Sequence, residues 1–134
     1  MIIDFTSRQP LRPEIIAEQY AAERAAIDVH WSVISNLRAY TSDEARGFEL
    51  LCLQCIDHHL MLYKTWQDKP RRAACFTRLC MLYEKQGRFE DAIEICKTAI
   101  NCGVYDDGTK GKMPGRLARL LRKAAEQIPN ESVN

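Results

Sequence analysis

At 134 residues the chain has room for one domain built on one modest hydrophobic core. Its 46% hydrophobic content is ordinary for a soluble globular protein, and a net charge of +1 gives no whole-chain signal for nucleic acid. No stretch approaches the ~20 apolar residues of a membrane span. The opening MIIDFTSRQP lacks the basic segment and apolar run of a signal peptide, so a cytoplasmic location is expected.

Helical periodicity dominates and no alternating strand pattern occurs, so the expected class is all-α. Residues 1–12 read as an N-terminal arm, 13–128 as a single helical domain, and 129–134 as a polar tail that should fray. The first helix is predicted to start at Pro13, a residue suited to a first turn, and to run to about Tyr40. Alanines at 21, 22, 25 and 26 favour it, a break near Asp28 is the open alternative, and Trp31, Ile34 and Leu37 form its buried stripe.

A capping box of Thr41 and Glu44 predicts the start of the second helix. Its inward stripe is Phe48, Cys52, Cys55, His59, Tyr63 and Trp66, and Pro70 is expected to end it. The third helix turns Phe76, Leu79, Cys80 and Tyr83 inward. Gly87, in the turn EKQGRFED, supplies a left-handed C-cap. The fourth runs from about Phe89 to Asn101 with Ala92, Ile95, Cys96 and Ala99 on its packing face, and Gly103 can close it. After the loop YDDGTKGKMPG, a fifth helix is predicted from Pro114 to Gln127. Leu117, Leu120, Leu121, Ala124 and Ile128 form its apolar stripe, with Arg116, Arg119 and Lys123 on another side.

Residues 73–104 resemble a tetratricopeptide repeat. The resemblance rests on the sets Leu79, Cys80, Tyr83 and Ala92, Cys96, Ala99, with Gly87 at the turn. Cys96 stands where the family usually carries an aromatic, and Val104 near where a proline often ends the repeat. Leu117, Ala118 and Leu121 echo the third helix at an offset of 38 residues, against ~34 in a regular repeat, and read as a capping helix over 114–127. The implied architecture is antiparallel helical hairpins stacked as a short tetratricopeptide-like solenoid of about five helices. The wider stretch, from the two tryptophans through YDDGTKGKMPGRLARL, is similar to small bacterial repeat-like proteins of uncharacterised role, which carry no activity with them.

The implied function is non-catalytic binding of a peptide or partner protein, with self-association as a homodimer among the options. By the resemblance, Thr77, Met81, Glu84 and Lys85 face outward on the concave side and touch the partner. Lys85, Arg116 and Arg119 can hold an acidic group. The alternative is a small nucleic-acid-associated protein. It would use the basic loop and last helix, where Lys110, Lys112, Arg116, Arg119, Arg122 and Lys123 occur with no acid among them. Lys69, Arg71, Arg72 and Arg78 form a second basic patch.

Cys52, Cys55, His58 and His59 contain donors that suit zinc, but a single helix aims at most two or three ligands at one point. The expectation is therefore core cysteines, semi-exposed histidines, and neither metal nor cofactor. The six cysteines fall in helical stripes and read as free thiols in a reducing cytosol. Cys80 and Cys96 should be buried and inert, Cys102 the most reachable, and no catalytic thiol is expected. The loop GVYDDGTKGKMPGR fails the P-loop pattern, which needs Lys-Ser/Thr after its second glycine and a strand before it. It also lacks the alternating ligands of a calcium loop.

Overall fold

The computed structural model describes residues 12–127, and its regular elements are all helical. In chain order they are α1 (Pro13–Leu37), α2 (Asp43–Leu62), a 3₁₀ turn at Tyr63–Thr65, α3 (Ala74–Lys85), α4 (Phe89–Asn101) and α5 (Lys112–Gln127). The tail, Ile128 and the arm before Arg12 lie outside the described residues.

α1 is unbroken through Asp28 and stops at Leu37, short of Tyr40. Arg38 takes a left-handed φ of 51°, and the N–H groups of Arg38 and Ala39 turn back to the carbonyls of Ser35 and Ile34. That closure satisfies carbonyls left orphaned by the last turn. Leu37 is consequently not part of the buried stripe; it is 72% exposed and continues an outer apolar row with Val29 and Val33.

The capping box is displaced by one residue. Ser42, not Thr41, caps α2, its Oγ accepting from the Ala45 N–H at 3.2 Å. Pro70 does not set the end of α2, which stops at Leu62. The Thr65 hydroxyl donates to the Leu62 carbonyl, and the Lys69 ammonium donates to the carbonyls of Tyr63 and Trp66. Side chains thus take the place of the next helical turn.

α3 and α4 form the expected hairpin. Gly87 has φ 74°, and the Arg88 N–H donates to the Tyr83 carbonyl at 2.8 Å. Cys80, Ala92 and Cys96 are fully buried where the helices cross, with the Cys80 Sγ 3.6 Å from the Ala92 carbonyl and 3.9 Å from the Cys96 Sγ. Small side chains let the backbones approach. Ala92→Trp is therefore expected to overpack the crossing and cost about 3 kcal/mol or more. A thermal melt matching the wild type would contradict this pairing.

Two helices depart from the sequence pattern. Ile93 is buried on α4 while Ile95 is only half-buried, and on α5 Met113 is fully buried while Leu121 is 49% exposed. α5 starts at Lys112, earlier than Pro114, because a proline within the first turn lacks only an N–H that has no helical acceptor anyway. Sequential helices pack on one another, and α1 also lies against α3. Buried side chains from all five α-helices join one core.

Candidate functional site

Where α1 meets α3, their facing residues are small. Ala21 and Ala25 oppose Ala73 and Ala74, and a cavity of about 620 Å³ remains between the helices. Arg24 and Asp28 border it from α1, Thr77 and Arg78 from α3, and Arg72, Asp107 and Gly108 close one end. The alanine and charged positions on α1 alternate at helical spacing, which puts Ala21, Arg24, Ala25 and Asp28 on one face.

The charges around this groove are partly engaged. Arg78 Nε donates to Asp28 Oδ1 at 3.0 Å, and its Nη1 points at the Met81 sulfur at 3.5 Å. Arg72 Nη2 donates to Asp106 Oδ1 at 3.4 Å. Gly108, at φ 85°, leaves room beside it; a Cβ there would sit 3.5 Å from Arg72 Nη2. The Arg24 guanidinium lies 5.6 Å from the centre of the Tyr20 ring.

Behind the groove stands a buried ion cluster. Arg116 Nε donates to Asp107 Oδ2 at 2.8 Å and its Nη1 to Glu84 Oε1 at 2.7 Å, while Lys123 Nζ is 3.7 Å from Glu84 Oε2. The other Asp107 oxygen accepts from the Thr109 N–H at 3.0 Å and from the Thr109 hydroxyl. Burial would raise the Asp107 carboxyl. The hydrogen bonds from Thr109 and Arg116 outweigh it and hold the group below the ordinary carboxylate range.

These contacts correct the predicted sites. Arg116 does not belong to an exposed basic patch; it is buried and neutralised by Asp107, nine residues before it, and Glu84, 32 residues before it. Of its expected neighbours, Lys110 and Lys112 are exposed, Arg119 is half-buried, and Lys123 is exposed beside Glu84. Lys112 Nζ sits 5.4 Å from the centre of the Tyr105 ring. Thr77 does not face outward; it is 9% exposed and lines the groove. Met81 is half-buried against Arg78, Glu84 turns toward α5, and Lys85 reaches over the Tyr40 ring at 5.7 Å. The four positions thus meet different neighbours and do not form one surface.

The Cys-His segment is taken into the core. Cys52, Cys55 and His59 are fully buried, and His58 is buried with its Nδ1 2.8 Å from Glu23 Oε1, so neither histidine is semi-exposed. Among the described residues no three His, Cys, Asp or Glu side chains gather where they could hold a metal ion. All six cysteines are free and buried, including Cys102, the one expected to be reachable. Burial pushes the Cys102 thiol up, against the thiolate that nucleophilic chemistry needs.

His59 packs its ring edge-on to Trp66 and Phe76, and its Nδ1 hydrogen-bonds the Tyr20 hydroxyl at 2.8 Å. Burial, then the charge of Arg24, lowers it from 6.5 to about 4. A histidine lowered in the folded state is protonated first in the unfolded chain. Stability should therefore fall as pH drops from about 6.5 toward 4, and be insensitive to this group above that window. Urea melts across that range should show the slope, and His59→Phe should reduce it. An equal slope in the variant would exclude His59 as its source.

Arg24 is the groove residue that the sequence pattern missed. Its signal was available: an arginine at the spacing A-x-x-R-A-x-x-D within an alanine-rich helix face, residues 21–28. Compared with protein-family models, curated proteins and solved structures, the chain matches none. No helix among the described residues is long and apolar enough to cross a membrane.

Proposed function

We propose that this chain is a non-catalytic interaction module, working in the cytoplasm, that takes a partner peptide into the groove between α1 and α3. The observation that carries this is the 620 Å³ cavity itself, with alanines on both walls and arginines at its edges. Small side chains leave space for a chain to enter, and guanidinium groups offer directed donors to an acidic side chain or terminus. α1 and α3 are the first helices of two successive hairpins. In the tetratricopeptide-like solenoid suggested by residues 73–104, such helices line the concave binding face.

Panning a random peptide library on the immobilised protein tests the proposal. Ala25 is exposed at the groove, so Ala25→Trp should plug it without unfolding the chain. Recovered peptides are expected to lose at least tenfold in affinity for that variant, about 1.4 kcal/mol, with an unchanged melting temperature. Equal binding to both proteins would exclude the groove. Sedimentation of the protein alone checks self-association: a dimer that dissociates on Val33→Lys would put a second copy on the exposed row of α1 instead.

The nucleic-acid alternative loses Arg116, which is committed to Asp107 and Glu84. Lys110, Lys112, Arg119 and Lys123 remain as its phosphate contacts. A mobility shift that weakens steeply with salt, and disappears when Lys110 and Lys112 become glutamate, would favour it.

A further inference from the structure

We propose that the outer face of α1 is a self-association surface that takes a second copy of this chain, with the two α1 helices antiparallel. This face is separate from the groove: Ala21, Arg24 and Asp28, which line that cavity, lie on a different side of the helix.

α1 carries two stripes along its 25 residues. The inner one, with Ile16, Tyr20, Ile27, Trp31 and Ile34, is buried in the core. The second runs along the outside. Gln19, Ala22, Ala26, Val29, Val33 and Asn36 recur at alternating steps of three and four residues, the heptad period of a helix that packs lengthwise on another helix. Ile15 extends the series by one step, and Leu37 flanks its far end. Among the described residues nothing covers this row. Val29 is 65% exposed, Val33 51% and Leu37 72%; Ala22 is exposed and Ala26 half-buried. From Ile15 to Leu37 the row is ~33 Å long at ~1.5 Å per residue. A continuous apolar row of that length gains by leaving water.

The row is complementary to itself, which marks a second copy as its occupant. Its N-terminal half carries the small side chains, Ala22 and Ala26, and its C-terminal half the larger ones, Val29 and Val33. Let two copies run antiparallel about a two-fold axis level with the midpoint of Ile27 and Asp28. Ala22 of each then meets Val33 of the other, and Ala26 meets Val29. Small against large fills every layer to a similar volume and lets the helices approach closely. Gln19 and Asn36 face each other at both ends of this apolar stretch. Their amides can exchange hydrogen bonds there, and a shifted register would set them against valines instead. A two-fold interface has this reciprocity, since residue i meets j and j meets i.

Charge selects the same orientation. Glu18 stands beside the row at one end of α1 and Arg38 just past the other. Both are exposed, and neither forms an ion pair among the described residues. The antiparallel arrangement brings Glu18 of each copy level with Arg38 of the other. A parallel one would set Glu18 against Glu18, Arg38 against Arg38, and alanine opposite alanine across a gap. Exposed charge pairs add little affinity, so their part is to fix direction while the apolar layers hold the pair. One helix per copy makes a small interface beside the ~800 Å² per partner of standard complexes, so the dimer is reversible and concentration-dependent.

Sedimentation equilibrium of the full chain at rising concentration is expected to show a monomer–dimer equilibrium. Val29→Lys, at an exposed position, should raise the dimer Kd at least tenfold with an unchanged circular dichroism spectrum. Cysteine pairs test the register under mild oxidation. Ala22→Cys and Val33→Cys in one chain stand ~16 Å apart along the helix and cannot bridge within it, but should link two copies twice. Ala22→Cys alone should not link, because its two copies are separated by the same ~16 Å. The wild type, whose six cysteines are buried, is the control. A monomer at every concentration would overturn self-association and leave the row to a different chain. A dimer indifferent to Val29→Lys would overturn the row as its interface. Linking of Ala22→Cys alone as readily as the double variant would overturn the antiparallel arrangement.

Discussion

Arg116→Met is expected to cost about 3–5 kcal/mol of folding stability. The arginine joins α5 to α3 through Glu84 and to the preceding loop through Asp107, whose side chain is fully buried. Methionine fills similar space but leaves that buried carboxylate without its cationic partner, with only the Thr109 hydrogen bonds to hold it. Breaking a buried pair from one side is far costlier than losing an exposed one. In a chain of this size the melting temperature should drop by roughly 10–20 °C. Urea denaturation would measure the effect directly, and a variant that unfolds with the wild type would mean that α5 is not held by this cluster. Lys110→Glu, on the exposed loop, should stay within about 0.5 kcal/mol and serves as the control.

The same cluster sets an acid limit. The Asp107 carboxyl is held low in the folded protein, so its contribution is fully present above the unfolded value of about 3.9 and is lost as pH falls through the folded value. Arg116→Met removes one of the contacts that hold it low. The variant should therefore shed this contribution at a higher pH than the wild type.

Phe76→Ala should cost a comparable 3–5 kcal/mol, by a different route. Phe76 is the largest fully buried side chain of α3, and its ring meets the His59 ring edge-on at 5.2 Å between centroids. Truncation removes apolar burial and leaves a void where α2 packs on α3. Phe76→Leu should recover more than half of the loss. An alanine variant within 1 kcal/mol of the wild type would show that the surrounding helices close over the space.

Much of the fold was readable because its signals are local. The hairpin of α3 and α4 follows from Leu79, Cys80, Tyr83, Ala92, Cys96 and Ala99 at helical spacing, and Gly87 takes the positive φ that its position suggested. The core placement of Cys52 and Cys55 likewise follows from their shared face with Phe48. Boundaries were less readable, since each depends on a competition among caps. Ser42 rather than Thr41 captured the Ala45 amide, and Lys69 rather than Pro70 finished the end of α2.

The candidate site was legible only in fragments. Arg72 and Arg78 had been grouped as a basic patch, and Thr77 had been placed on a binding face, but Arg24 was not singled out at all. Sequence alone determined the all-α class, the hairpin, the burial of Cys52, Cys55, Cys80 and Cys96 and the clustering of basic residues near the loop, because periodicity and turn chemistry act over a few residues. Only the tertiary structure decided which charges are free. Arg116 became a buried tie because Glu84 and Asp107 come to it from α3 and the loop. Arg24 became a groove residue because α1 lies across the uncapped start of α3. An ion pair between distant residues leaves no local pattern, so folding itself assigned those two arginines their different roles.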